Sequence, residues 1–405
     1  MKILQVNKYH YPRGGADRYY LDLGSRLTTA GNEVAYFAMQ HPRNLPTPWS
    51  KYFVSRVSYN EQIWRYAWKI PGRAIYSLEA KRKFRRLVRD FKPDVIHIHN
   101  IYHQISPSIL DVASSEKIPV IMHLHDYKLV CPNHALFVDN RVCQLCLKGN
   151  YWPCVRQRCL KGSLAASLLA AAEMEIHHRL LKIYEKKISA FIAPSFFMKN
   201  LLVKAGWPEN KITVINNPGS ANLPAPTNLK KENYFLYYGR LSPEKGVALA
   251  IQAVNQNPAL RLIIAGEGEE DASLQTLGGK AVRQGRIDFC GWQEGQALSN
   301  LIAKARAVLV PSCWLENFPL TALEAISLGT PVIAAAIGGL PEIINNDNGC
   351  LFPPGDSRAL GRELAAVVSK QRDWDAATIR ASAARFRPEL NTAAVIAVYT
   401  RFCQK

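Results

Sequence analysis

Two glutamates, Glu316 and Glu324, stand eight positions apart within residues 307 to 344, AVLVPSCWLENFPLTALEAISLGTPVIAAAIGGLPEII. Upstream, YFLYYGRLSPEKG carries Arg240 and Lys245 beside a glycine turn. A guanidinium offers a planar fork and an ammonium a point charge, and the two together suit a diphosphate. The amides around Phe318 to Leu320 open a helix, where an anion is favoured. Two carboxylates, two cations and a helix N-terminus are thus available to one ligand site.

The elements that must position these groups are legible around them. The apolar run from Ala307 to Val310 suits a buried parallel strand. A polar loop with Glu316 follows it, and Pro319 is expected as the first helical residue, where its missing N–H costs nothing. The helix continues through Leu323, Glu324 and Ile326 and stops at Gly329. Pro331 to Ala335 is the next strand. Acids at the carboxyl end of such a strand can face the crevice where open α/β sheets bind ligands. YFLYYGR, LRLIIAGEGEE and IDFCGW read as further strands ending in glycine loops, and none contains a P-loop.

Taken in register, Glu316, Glu324, LGTPVIA and GGLPEII resemble the glycosyltransferases of family 4. The resemblance covers nearly the whole chain. It is specific in the second half and looser between residues 41 and 160. It implies an α/β protein of the GT-B fold: two facing Rossmann-like, doubly wound domains with a C-terminal helix crossing back. The implied activity is retaining transfer of a sugar from a nucleotide diphosphate sugar to an acceptor hydroxyl. Arg240 and Lys245 would meet the leaving diphosphate, Glu316 the sugar hydroxyls and Glu324 the ribose. Asn317, Phe318, Pro319 and Leu320 would line the donor site. With two cations offsetting the diphosphate charge, no catalytic metal is required. A same-face, oxocarbenium-like displacement is the family's expectation, with domain closure assembling the site.

The first half opens as strand, glycine loop, helix, strand. Gly14 and Gly15 follow the first strand, and in the family such a loop lines the donor cleft. The strand IPVIMHLHDYKL ends at His125-Asp126, where the family places a histidine beside the donor sugar. His97, His99 and His123 alternate with apolar residues and read as sheet histidines. A metal site among them is discounted, because strand alternation sends neighbouring residues to opposite faces.

Five of the nine cysteines crowd into residues 131 to 159. Cys143 and Cys146 form a C-x-x-C pair. The expected arrangement is a structural zinc site of Cys131, Cys143, Cys146 and Cys159, with Cys154 spare. Free thiols and disulfides are the alternatives. Ser163 to Lys187 reads as one long amphipathic helix.

The net charge of +19 is lopsided. Residues 1–221 hold 32 Lys and Arg against 15 Asp and Glu, a balance of +17, whereas the rest holds 19 against 17, a balance of +2. A one-signed field on one domain favours an anionic partner there. Residues 41–92 interleave cations with Trp49, Tyr52, Phe53, Tyr59, Trp64, Tyr66, Trp68 and Tyr76. That composition suits an anionic membrane surface or single-stranded nucleic acid. The helix KRKFRRLVRD reads more simply as a solvated helix packed by Phe84, Leu87 and Val88. No apolar run reaches membrane-span length; Ser163 to Ala172 comes nearest.

The expected domains are 1–220 on the acceptor side, 221–388 on the donor side, and a helix at 389–405 returning to the first. Ser220 to Glu232, with Pro224 and Pro226, is the linker. The expected location is cytoplasmic, peripheral on the cytosolic face of a membrane, with a lipid-linked or glycan acceptor. Two rivals remain: a nucleotide-sugar epimerase of the same fold, and a basic zinc-bearing nucleic-acid binder. No nucleic-acid motif is present.

Overall fold

The computed structural model describes residues 1–57, 75–219 and 230–403. Tyr59, Trp64, Tyr66 and Trp68 of the basic aromatic segment lie outside the described residues, as do Ser220, Pro224 and Pro226 of the linker. The chain divides into two compact units. The first comprises Met1–Ala135, Gln144–Ile215 and Thr392–Lys405, and the second Leu136–Cys143 and Asn216–Asn391.

The first unit is built on strands β1 (Lys2–Val6), β2 (Glu33–Phe37), β3 (Val95–Ile98) and β4 (Val120–His123). A small antiparallel hairpin, β5 (Phe137–Val138) and β6 (Arg141–Val142), interrupts the series. It resumes with β7 (Ala190–Ala193) and β8 (Ile212–Val214). The main sheet is parallel throughout, in the order β2-β1-β3-β4-β7-β8. Strands β3, β4 and β7 are buried along their whole length, as short Val- and Ile-rich runs covered on both faces must be.

The helix Leu78–Phe91 packs Ala80, Phe84, Leu87, Val88 and Phe91 inward, and Ser77 caps it by accepting from the Ala80 amide. Its cations are largely engaged or solvated. Lys81 lies 3.2 Å from Asp111 and Lys83 lies 3.2 Å from Glu79.

The segment 163–187 is not one helix. Leu164–Met174 is α-helical, Glu175–Leu180 is a π-helical turn, and a new helix starts at Ile183 after Lys182 takes a left-handed conformation (φ 48°). A wide turn of this kind inserts one extra residue and re-aims the side chains beyond it.

The helix Pro388–Cys403 returns from Thr392 onward to the first unit. There Val395, Val398 and Tyr399 share a core with Ile3, Leu23, Val95 and Ile121. Arg26 Nε donates to Thr392 Oγ1 at 2.9 Å, and the Tyr399 hydroxyl pairs with His97 Nδ1 inside the sheet face. Tyr399→Phe would strip a buried nitrogen of its partner. It is expected to lower stability by about 1–2 kcal/mol, read as a lower urea midpoint; an unchanged midpoint would show that the pair contributes nothing.

The second unit carries β9 (Phe235–Tyr238), β10 (Leu262–Ala265), β11 (Ile287–Phe289), β12 (Val308–Val310), β13 (Val332–Ala335) and β14 (Gly349–Phe352). They form a parallel sheet in the order β11-β10-β9-β12-β13-β14. One face buries Leu262, Ile264, Leu309 and Ile333 with residues of the helices Val247–Gln256 and Ser357–Val368. The other buries Leu236, Val308, Val310 and Val332 with the helix Leu320–Ser327. The strand order reverses between β9 and β12. The loops leaving those two strands therefore stand side by side at the carboxyl edge of the sheet, at the switch point where doubly wound folds bind ligands.

Candidate active site

The loop after β9 supplies Arg240 and Lys245, and the loop after β12 supplies Glu316. The structure joins them. Lys245 Nζ lies 2.8 Å from Glu316 Oε1, although 71 residues separate them in sequence. Ser312 Oγ donates to the same oxygen at 2.6 Å, and the Lys245 ammonium sits 5.0 Å from the centroid of the Trp314 ring. Glu316 is 4% exposed. Burial pushes its carboxyl up, but the Lys245 charge and the hydrogen bonds outweigh burial and hold it below the ordinary glutamate value. It is therefore a carboxylate kept ionised inside the protein by a lysine at its side.

Backbone contacts lock the two loops together. The Cys313 amide donates to the Glu244 carbonyl at 2.9 Å. Gly266 and Gly268, after β10, press on the loop of Arg240; a Cβ at Gly266 would fall 1.9 Å from the Gly239 oxygen. Arg240 is exposed, and its guanidinium meets Glu244 Oε1 at 2.7 Å, an oxygen that also accepts from Ser242 Oγ at 2.8 Å.

The turn at Gly338-Gly339 holds Glu316 from the other side. Gly338 has φ +63°, and a Cβ there would lie 2.1 Å from the Glu316 carbonyl oxygen. The Gly339 amide donates to that oxygen at 2.7 Å.

Pro319 is not the first helical residue. It occupies the cap position in an extended conformation (φ −73°, ψ 124°), and the helix Leu320–Ser327 begins one residue later, with no side-chain cap. The amides that open the helix belong to Leu320 and its successors. Asn317 and Phe318 are buried just before the cap. Glu324, 5% exposed, sits 3.1 Å from the Tyr238 hydroxyl of β9, which lies 2.7 Å from the Thr321 carbonyl oxygen. Gly329, with φ +75°, follows the helix end.

In the first unit, His125 stands at the end of β4 and is half-buried. It contacts His99 Nδ1 through Nε2 at 2.8 Å, and His99 Nε2 reaches Gln5 Oε1 at 2.7 Å. The expectation that the strand histidines scatter is corrected here. His97 and His99, like His123 and His125, are two apart and share a face. Ring centroids of His97 and His99 are 4.4 Å apart, and those of His123 and His125 are 4.5 Å apart. The alternation rule applied to adjacent residues, not to these. Burial holds His97, His99 and His125 well below the usual imidazole value.

Gly14 caps the helix Gly15–Thr29 with extended backbone (φ −156°, ψ −177°), a geometry open to any residue. A Cβ there would meet only Asp17 Oδ2, at 3.9 Å. The chain itself thus makes no demand for glycine at position 14.

Of the five clustered cysteines, Cys146 and Cys154 share a small buried cluster, and Cys159 packs against it. Among the described residues, no group of three or more His, Cys, Asp or Glu is placed to hold a metal ion. Cys154, taken as the spare thiol, packs with Cys146, Tyr151, Ala171 and Met174. Its thiol is held below its ordinary value, first by a hydrogen bond with Cys159 and against burial. No cysteine is in a disulfide.

Sequence reasoning missed Ser312, Trp314, Tyr238 and Glu244. Ser312 and Trp314 flank Glu316 within four residues, and that proximity was the available signal. Tyr238 could only be found once β9 lay beside the helix.

Residues 13–218 match the profile of glycosyltransferase family 4, and residues 221–385 match that of the glycosyl transferases group 1. An uncharacterized 42.6 kDa protein in the cps region of Klebsiella pneumoniae is 24% identical over 360 residues, covering 85% of this chain and 87% of the relative. The O-antigen chain mannosyltransferase B of Escherichia coli is 32% identical over 176 residues, 42% of this chain and 46% of that protein. Among solved structures, Anabaena Alr3699/HepE in complex with UDP superposes with a TM-score of 0.70 at 18% identity, covering 99% of this chain and 100% of that one. The two parallel-sheet units are those of the GT-B fold.

Proposed function

Since the chain belongs to glycosyltransferase family 4, we propose that it moves a sugar from a nucleotide diphosphate donor to an acceptor hydroxyl with retention at the anomeric carbon. The observation that carries this reading is the Lys245–Glu316 pair at the switch point of the second sheet. A carboxylate kept ionised by a lysine can accept hydrogen bonds from sugar hydroxyls. The same lysine, with Arg240, can offset charge that develops on a leaving diphosphate. The uncapped N-terminus of the helix Leu320–Ser327 favours the same anion. Glu324 is assigned to the ribose hydroxyls and His125 to the donor sugar on the family pattern.

The basic first unit supports a lipid-linked or glycan acceptor carrying negative charge, used at the cytosolic face of a membrane. Among the described residues, no helix is long and apolar enough to cross one. The relative encoded in a cps region and the O-antigen mannosyltransferase support a surface-glycan precursor as acceptor.

A panel of nucleotide diphosphate sugars tests the donor half. UDP-sugars come first, because the Anabaena structure holds UDP. At least one donor should raise the melting temperature and be hydrolysed slowly without acceptor. Glu324→Gln should weaken that donor about 10-fold, by losing a charged hydrogen-bond acceptor. If no donor stabilises the protein, the reading fails. If donor is instead converted to an epimer, the isomerase replaces it.

A further inference from the structure

The helix Leu164–Met174 turns Ser167, Ala170, Ala171 and Met174 inward. Its first nine residues, LAASLLAAA, carry no charge on any side. Leu164 (53% exposed) and Leu168 (48%) stand one turn apart on the outer row, and the exposed Ala172 continues it. Beyond the π-helical turn, Leu180 (70%) and Leu181 (48%) are also bare, and Trp152 (65%) projects from the short helix Trp152–Arg156. With Leu145, that makes six of the fourteen large apolar side chains exposed among the described residues, within 37 positions of the chain. A helix that is apolar all round is ordinarily covered on every side.

The surroundings of this stripe are basic. Residues 144–182 contain Lys148, Arg156, Arg158, Lys161, Arg179 and Lys182 against Glu173 and Glu175. Glu173 is buried and paired with Lys128 at 2.9 Å, and Glu175 pairs with Arg179 at 2.8 Å on the exposed side. Arg179 and Lys182, which bracket the two bare leucines, also line a cleft of about 130 Å³. Lys148, Tyr151, His178 and Trp207 complete its polar and aromatic wall, and Glu185 is its one acid. By contrast, the basic helix Leu78–Phe91 has only Leu78 as an exposed large apolar residue.

We propose that the face around Leu164–Lys182 seats on an anionic phospholipid leaflet. The leucine stripe and Trp152 lie at the head-group boundary, and a lipid phosphate enters the cleft of Lys148, Arg179 and Lys182. Apolar residues with flanking cations are what interfacial attachment needs. The helix Leu164–Met174, with 11 residues, is too short to span. The inference goes beyond the donor chemistry and does not depend on it.

Co-sedimentation of the full chain with vesicles tests it, comparing phosphatidylcholine alone with a phosphatidylcholine–phosphatidylglycerol mixture. Binding should need the anionic lipid and fall as salt rises. The double change Leu164→Glu, Leu168→Glu should lower partitioning at least about 10-fold by placing charge in the interface. Lys148→Gln, Arg179→Gln, Lys182→Gln should remove the dependence on phosphatidylglycerol. Leu277→Glu, an exposed leucine of the second unit, should change nothing. Nucleotide-sugar stabilisation, measured on every variant, should persist, so a failure of donor binding is read separately. The proposal is overturned if wild-type protein stays in the supernatant, or if the stripe variants bind as well as wild type. It is equally overturned if size-exclusion chromatography shows a dimer that the stripe changes dissociate, because a second copy then covers the face.

Discussion

Lys245→Ala is expected to cut turnover about 10²-fold or more, a loss of about 3 kcal/mol of transition-state stabilisation. Two effects combine in it. A charge aimed at the leaving group is lost, and Glu316 is left buried without its counter-ion. With the lysine present, the carboxyl titrates below its ordinary value of 4.5; without it, burial dominates and the carboxyl moves up. The acid limb of the rate profile should therefore shift to higher pH in the variant. Stability follows the same sign. In the wild type, the ionised Glu316 contributes stability that is present above the ordinary glutamate value and lost as pH falls through the lowered one. The variant loses that contribution, so the stability gap between the two proteins should widen as pH rises out of the acid range. A folded variant with near-normal turnover and an unmoved acid limb would remove Lys245 from the site.

Gly338→Ala should be among the most damaging single methyls in the second unit. The residue sits at φ +63°, and the new Cβ would lie 2.1 Å from the Glu316 oxygen and 2.5 Å from its nitrogen. Both are backbone atoms of a buried residue, so no side chain can swing away. Left-handed strain and the clash together should cost about 3 kcal/mol. Displacing the Glu316 loop should cost about 10²-fold in turnover even where the protein folds. Gly355→Ala is the matched control: φ is +79°, but nothing lies within 4 Å of its Cβ. It should show strain of about 1 kcal/mol and unchanged turnover. Equal behaviour of the two variants would mean that the Gly338 turn does not hold the glutamate.

The alternation of short apolar strands with helices was legible because both faces of a parallel sheet are covered, and Val and Ile runs have little other use. The residues after strand ends were legible too, since Arg240, Lys245 and Glu316 are polar groups where the pattern breaks. What could not be read was which loop meets which. The Lys245–Glu316 contact spans 71 residues and exists only because β9 and β12 are neighbours. Gly338 looked like a turn residue, and its actual task, making room for the Glu316 backbone, is set by a segment 22 positions earlier. The break at Glu175–Leu180 was hidden because a π turn preserves helical composition while changing the period.

The histidines of the first sheet carry a consequence for proton counting. With Gln5 Oε1 accepting from His99 Nε2, the Nδ1 of His99 must itself accept, so the shared proton belongs to His125 Nε2. That fixes the tautomer of His125 from inside the sheet and leaves its Nδ1 as a lone-pair nitrogen. The side-chain amide of Gln5, a residue of the first strand, does here what a carboxylate does beside a catalytic histidine, but without adding charge. Because burial keeps His97, His99 and His125 neutral well below the ordinary imidazole range, the tautomer should stay set across neutral and mildly acid conditions. A rate limb centred near pH 6.5 would then have to come from the acceptor or from another group, and not from this stack.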